Sequence, residues 1–250
     1  MRVRTPSYQA GFYAPERGGR AAYPQLWRGC VGAWNPGLGP SGAVLRDWGG
    51  RKNHSTLTNG PVWSTSTGQQ AIQFDGVNDH ISVGLIGIGA VNTRSLWFRS
   101  SNTSRNGYMM DMGGNNYWIQ HNLNRVTVGA GNTSYFASNQ TISNDRWYHA
   151  SAVMDAGSRL ALYIDGILDK SQIVTPGTPG ILSIGRFSLN SSFNFFGDMT
   201  DIVIHNRALS ANEISLLARR PGIAYELAAR RFYSLPPSSA RLRRLLTGAT

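Results

Sequence analysis

Between residue 26 and about residue 208, short apolar runs alternate with clusters of Gly, Asn, Asp and Ser. Ala71-Ile72-Gln73-Phe74, His80-Ile81-Ser82-Val83, residues 94–98 and residues 147–154 have the length and spacing of β-strands. Leu160-Ala161-Leu162-Tyr163-Ile164 runs into Asp165-Gly166 and then Ile167-Leu168. Asp-Gly between two apolar runs predicts a tight hairpin, because both turn positions need positive φ. Asn59-Gly60 and Asn106-Gly107 are read the same way. The last strand is expected over residues 198–205, with Met199, Ile202 and Ile204 as its apolar positions. Regular strand spacing without interleaved helices predicts an all-β sandwich or barrel, not a parallel α/β sheet.

One helix is predicted. Ser210 and Glu213 form a capping box, Ile214, Leu216 and Leu217 supply an apolar face, and Pro221-Gly222 ends it. A second short amphipathic stretch is expected over residues 224–232, and a last basic turn over residues 241–246. Residues 1–25, with breaks at Pro6, Pro15 and Pro24, have no periodicity and read as an extended arm.

The composition narrows the class. At 250 residues with 41% hydrophobic residues, the chain has enough apolar material for a packed core, which excludes a disordered chain. The apolar run near residues 84–91 falls far short of the ~20 residues that span a bilayer, so no membrane insertion is expected. Residues 1–19 lack the apolar stretch of a secretory leader, so none is expected. The single cysteine, Cys30, excludes an intrachain disulfide.

The net charge is +11, and it is unevenly placed. Residues 1–28 hold five arginines and one glutamate, and residues 217–250 hold seven arginines and one glutamate. The middle carries twelve basic and eleven acidic side chains. This divides the chain into a basic N-terminal arm (1–25), a near-neutral domain (26–218) and a basic C-terminal tail (219–250). Arg2, Arg4, Arg17, Arg20, Arg230, Arg231, Arg241, Arg243 and Arg244 mark the arms. Arginine forks suit carboxylate and phosphate, so an anionic partner is expected. Solvated tails of arginine-rich composition explain the same residues. The near-neutral middle counts against a nucleic-acid partner.

Several phrases, in order, resemble the laminin-G-like, concanavalin A-like jelly-roll family. They are Ala71-Ile72-Gln73-Phe74-Asp75-Gly76-Val77-Asn78-Asp79-His80-Ile81, Trp147-Tyr148-His149-Ala150, Leu162-Tyr163-Ile164-Asp165-Gly166, Leu182-Ser183-Ile184-Gly185 and Phe196-Gly197-Asp198-Met199-Thr200-Asp201-Ile202. Ala208-Leu209-Ser210 and Glu213-Ile214 complete the set. The resemblance implies a jelly-roll sandwich of two antiparallel sheets face to face, one of them concave. The front end, Trp27-Arg28-Gly29-Cys30-Val31-Gly32-Ala33-Trp34 through Leu45-Arg46-Asp47-Trp48 and Asn53-His54, resembles such domains in tailed-phage and environmental viral proteins. Most signature residues read as structural: Phe74, Trp147 and Tyr163 as packing, Gly76 and Gly166 as turns, Asp75 and Asp201 as loop anchors.

Candidate chemistry follows from the same residues. Glycoside hydrolysis needs two carboxylates about 5–9 Å apart, and hydrolases of the superfamily place Glu-x-Asp-x-x-Glu on one strand. The three glutamates here, Glu16, Glu213 and Glu226, lie off the predicted core strands. Asp198 and Asp201 are the available substitute, so a non-enzymatic protein is expected. Calcium is the one cofactor the residues admit, at Asp75, Asn78 and Asp79, although an Asx-rich turn explains the same cluster. The five histidines lack the paired spacing of a zinc site. Sugar binding would use aromatics that stack on pyranose faces beside polar groups. Tyr108, Tyr117, Trp118 and Tyr135, with Arg125 and Asn132, are the candidates, and core packing is their competing role.

A lectin-like sandwich, no leader and arginine-rich arms together lead to one expectation. It is a non-enzymatic virion structural protein, assembled in the host cytoplasm as a capsid decoration or tail/fibre component. Its arms would dock on other virion subunits, in a homo-oligomer, and its sandwich would face a host-surface glycan. The alternative is a free carbohydrate-binding lectin, calcium-dependent through the Asp75 loop.

Overall fold

The computed structural model describes residues 12–15, 19–65, 68–114, 116–131, 134–189 and 193–228. In chain order the strands are β1 (Cys30–Trp34), β2 (Val44–Leu45), β3 (Ser55–Thr58), β4 (Val62–Ser64), β5 (Ala71–Asp75), β6 (His80–Gly84), β7 (Asn92–Ser100) and β8 (Asn106–Met112). They continue as β9 (Tyr117–Asn122), β10 (Arg125–Gly129), β11 (Tyr135–Thr141), β12 (Trp147–Met154), β13 (Arg159–Ile164), β14 (Ile167–Ile173), β15 (Leu182–Ile184) and β16 (Phe196–His205). One helix, α1 (Ala211–Leu217), follows.

The strands form two eight-stranded sheets. Sheet I runs β14-β13-β12-β7-β16-β5-β4, with β1 also paired to β16. Sheet II runs β11-β10-β9-β8-β15-β6-β3-β2. The strand pairs are antiparallel, and the molecule is the two-sheet jelly-roll sandwich that the resemblance implies. β16 shares one edge between two partners. Phe196–Met199 pairs with β5, and residues 202–205 pair with β1. The changeover falls at Asp201, whose φ of 48° is left-handed.

Alternation sends one set of side chains between the sheets. Leu96, Phe98, Tyr148, Leu162, Met199 and Ile202 of sheet I meet Ile81, Met112, Tyr117, Ile119, Val126 and Ile184 of sheet II. The Asp165-Gly166 hairpin forms as expected, with φ of 51° and 83° at the two residues. Asn106-Gly107 differs, because both residues lie inside β8. A Cβ on Gly107 would stand 2.7 Å from His121 Nε2 and 3.0 Å from the Phe195 Cα, so this glycine serves close packing.

A second apolar layer covers the outer side of sheet I. Val153 and Val203 lie beneath Leu209, Ile214, Leu217, Ile223 and Tyr225, with Ala14 and Leu26 from the N-terminal side. The two chain ends are stitched together here. Tyr13 N donates to Tyr225 O at 2.7 Å, Ala22 N to Glu226 O at 2.8 Å, and Ala228 N to Arg20 O at 2.8 Å. The Trp27 indole donates to Ala224 O at 2.7 Å. The boundaries expected at residues 25/26 and 218/219 therefore fall inside a packed layer. The amphipathic stretch expected from residue 224 is a short 3-10 turn (Ile223–Tyr225) followed by extended chain to residue 228.

The capping box of α1 is complete, and Arg207 clamps Glu213 at 2.9 and 2.6 Å. The same guanidinium donates to Gln25 O and Arg28 O, which ties the N-terminal segment to the helix. The Arg207 hydrogen bonds hold the Glu213 carboxyl down at about 2. Among the described residues no helix is long and apolar enough to cross a membrane.

Candidate functional site

Among the described residues, the chain ends give the outer side of sheet II no such cover. Here Trp118 stands opposite Asp111 on β8 and Gly129 on β10, and Gly129 stands opposite Tyr135 on β11. Asp111 faces Ser183 on β15, and Ser183 faces Ser82 on β6. One row thus crosses six strands. A second row places Tyr108, Gln120, Thr127 and Ala137 side by side.

The aromatic members of the face pack together. The Tyr108 ring is 5.6 Å from Trp118, 5.1 Å from Phe187 and 6.2 Å from Phe193, and Trp118 is 5.8 Å from Tyr135. Tyr108 (7% exposed) and Trp118 (5%) form a floor, with Tyr135 (55%) and Phe193 (51%) as an exposed rim. Gly129 makes room for that floor, because a Cβ there would fall 2.3 Å from the Trp118 ring. Burial and the nearby Asp111 charge push the Tyr108 phenol up to about 12. Asp111 also fixes the neighbouring loops, accepting from Gly114 N at 3.1 Å and Ser188 N at 3.0 Å.

Three buried polar atoms on this face have no partner among the described residues: Trp118 Nε1, Thr127 Oγ1 and Ser183 Oγ. Each unmet donor or acceptor costs about 1–3 kcal/mol. The face therefore combines apolar ring surface with polar groups in want of partners, the mixture that a saccharide's faces and hydroxyls match. From the core side, Arg94 Nη1 donates to Trp118 O at 3.5 Å and Gly129 O at 3.3 Å, bracing the two strands beneath the floor. Burial pulls the Arg94 guanidinium down to about 10.

Of the sugar-binding candidates, Tyr108, Trp118 and Tyr135 come together on this face. Tyr117 does not. Successive strand residues point to opposite faces, and Tyr117 sits in the inter-sheet core with Arg94 5.0 Å over its ring. Arg125 is engaged at the β10–β11 edge, where Nη1 donates to Ser138 O at 2.5 Å and Asn139 O at 2.8 Å. Asn132 lies outside the described residues. Phe187, Phe193, Thr127 and Ser183 were not anticipated. The alternation of Thr127 with core Val126 and Val128 carried a signal for Thr127, whereas Phe187 and Phe193 come from a segment between strands that has no periodicity.

Hydrogen bonds within the loop engage the calcium candidates in part, and Asp79 Oδ1 has no partner among the described residues. Asp75 Oδ1 accepts from Val77 N at 2.8 Å and Asn78 N at 3.4 Å, and Asp79 Oδ2 accepts from Asp75 N at 2.9 Å. This is the Asx-rich turn, and Asn78 contributes its carbonyl to Asn59. Burial, then the neighbouring Asp75 charge, raises the Asp79 carboxyl. Among the described residues no group of three or more His, Cys, Asp or Glu side chains is placed to hold a metal ion.

The carboxylates considered for hydrolysis are held separately. Asp198 is fully buried and accepts from Arg99 Nη1 at 2.8 Å. Asp201 accepts from Gly222 N at 2.8 Å and from the Asn35 amide at 3.4 Å, and burial pushes its carboxyl up to about 7. Of the arm arginines, Arg20 is exposed at the stitched ends. Arg2, Arg4, Arg17, Arg230, Arg231, Arg241, Arg243 and Arg244 lie outside the described residues.

Residues 66–215 match the concanavalin A-like lectin/glucanases superfamily in its laminin-G form. No curated protein sequence matches the chain. Among solved structures, the botulinum neurotoxin serotype D ligand binding domain, in complex with N-acetylneuraminic acid, superposes at TM-score 0.63 and 14% identity over 79% of this chain and 52% of that one. The binding domain of Paraclostridial Mosquitocidal Protein 1 gives 0.64 and 17%, over 78% and 52%. A Trypanosoma rangeli sialidase in complex with sialic acid gives 0.60 and 15%, over 76% and 33%. The chain thus spans about half of the toxin binding domains and a third of the sialidase. At these identities the likeness is one of fold.

Proposed function

Because the chain belongs to the concanavalin A-like lectin/glucanases superfamily, we propose that it is a saccharide-binding module that acts by recognition, not by cleavage, and takes its ligand on the outer face of sheet II. The observation that carries this reading is the aromatic floor of Tyr108 and Trp118 with Tyr135 at its rim, beside the unpartnered Trp118 Nε1 and Thr127 Oγ1. Asp198 is paired with Arg99 and Asp201 is buried beneath the C-terminal segment, which favours binding over hydrolysis. The toxin domain's N-acetylneuraminic acid puts acidic sugars in the test panel beside neutral ones. Titration of the full-length protein with that panel, followed by tryptophan fluorescence, should give saturable binding. In Tyr135→Ala it should weaken at least tenfold. Equal affinity in Tyr135→Ala would move the ligand elsewhere.

A second observation bears on where the module works. The described residues next to the two arginine-rich ends lie together on the outer side of sheet I, where Tyr13 and Ala22 donate to Tyr225 O and Glu226 O and Ala228 donates to Arg20 O. That is the side opposite the saccharide face. We read the ends as one anchor to the other subunits of a virion, with the saccharide face turned outward. Residues 12–228 keep the stitched ends and lack seven of the nine arginines that mark the arms. Full-length protein should co-sediment with particles of the encoding virus, and residues 12–228 should not. Equal sedimentation would assign the contact to the sandwich.

A further inference from the structure

Beyond the saccharide face, a cleft of about 370 Å³ opens where β2, at the edge of sheet II, meets the layer of chain ends. It is lined by Ser41, Val44, Arg46, Asp47, Trp48 and His54, all outside the residues that match the family. The geometry points to a second binding site, for an oxyanion (a carboxylate or a sulfate ester) carried on a sugar-sized ligand.

The charge in the cleft is arranged for it. The Arg46 guanidinium stands 6.0 Å over the Trp48 ring, and among the described residues no carboxylate is paired with it. An arginine fork presented this way matches a planar or tetrahedral oxyanion. His54 supplies a ring N–H donor. Its Nδ1 accepts from Asp47 N at 3.2 Å, which places the ring proton on Nε2. Asp47, the one acidic residue among the described lining, is turned inward. Its Oδ1 accepts from Ala33 N at 2.8 Å and Gly49 N at 2.7 Å, and its Oδ2 from Asn53 N at 2.8 Å. Three N–H groups thus meet the carboxylate away from the cleft, and it is 1% exposed. The Ser41 hydroxyl is committed to Val44 O. Among the described residues, the lining offers an entering ligand a cation, one N–H donor and the side chains of Val44 and Trp48. The volume lies in the range of small-molecule sites.

The test uses full-length protein at constant ionic strength, titrated with inorganic sulfate, glucuronate and glucose. The readout is the side-chain NMR signals of Arg46 Nε and the His54 ring. Saturable shifts with sulfate, glucuronate or both, and none with glucose, are expected. Glucuronate alone supports a carboxylate ligand, and sulfate alone a sulfate ester. Arg46→Gln, an exposed change that leaves the melting temperature in place, should weaken the anion at least tenfold. Arg51→Gln should not weaken it, because that guanidinium already donates to Ile86 O and Gly87 O. Three results would overturn the site: no saturable shift, an equal response to glucose, or equal weakening by Arg51→Gln. The readout is local to the cleft, so the site stands or falls separately from the face at Tyr135.

Discussion

The two sheets of the sandwich meet the outside in opposite ways. On sheet I the chain's own ends form a second apolar layer, and two indoles on that side find acceptors in it. Trp27 donates to Ala224 O at 2.7 Å and Trp97 to Leu217 O at 3.3 Å. On sheet II the Trp118 indole is as buried as Trp97 and has no acceptor among the described residues. The described parts of the ends therefore cover one face. The other face keeps Tyr135 and Phe193 exposed beside its buried rings, and the proposed recognition rests on that exposed aromatic rim.

The contrast breaks most sharply at Tyr225. It is 1% exposed and lies 5.3 Å from the Trp27 ring, at the centre of the stitched ends. Tyr225→Ala removes a large buried side chain, which costs about 3–5 kcal/mol. Urea unfolding measures this, and the protein that remains folded should bind saccharide as before. A loss below about 1 kcal/mol would mean that the layer over sheet I rests loosely and that the two faces are not so different. The mirror-image variant, Tyr135→Ala, touches a side chain 55% exposed. Its stability should stay within about 0.5 kcal/mol, while binding falls at least tenfold, or about 1.4 kcal/mol.

Much of this architecture was legible in the residues. Period-two alternation located most of the strands, Asp165-Gly166 located a hairpin, and Ser210 with Glu213 located the helix, because each is a local rule that tertiary contacts reinforced. The Asp75 cluster was readable as a turn for the same reason. Residues 12–15 and 19–25 were not. They follow no period, and their order comes from hydrogen bonds to the far end of the chain, such as Tyr13 N to Tyr225 O and Ala22 N to Glu226 O. The site was half legible. Alternation required that Tyr117 and Trp118 face opposite ways, but only the register with Gly129 and the core position of Tyr117 decided which one faced out. Phe187 and Phe193 reach the face from a segment between β15 and β16, where no pattern aims a side chain.

Asp201 gives the smallest and most specific test of the covered face. It joins β16, at its change of partner, to the C-terminal segment through Gly222 N. Burial raises its carboxyl to about 7 from the ordinary 3.8, against the favourable Gly222 and Asn35 hydrogen bonds. The folded protein therefore holds a proton there that the unfolded chain releases. Its stabilising contribution is fully present below about pH 4 and is lost as pH rises through about 7. Burial lowers His149 to about 3 and His121 and His205 to about 4. Their contribution runs the other way, present above about pH 6.5 and lost as pH falls through these values. Those histidines are common to parent and variant, so a difference measurement cancels them. Asp201→Asn cannot ionise, and its melting temperature relative to the parent should climb between pH 4.5 and 7.5. A change of at least about 1 kcal/mol is expected, or at least ~2–4 °C at this chain length. A flat difference would mean that the carboxyl is already ionised beneath the C-terminal segment, and that water reaches a face the chain ends otherwise seal.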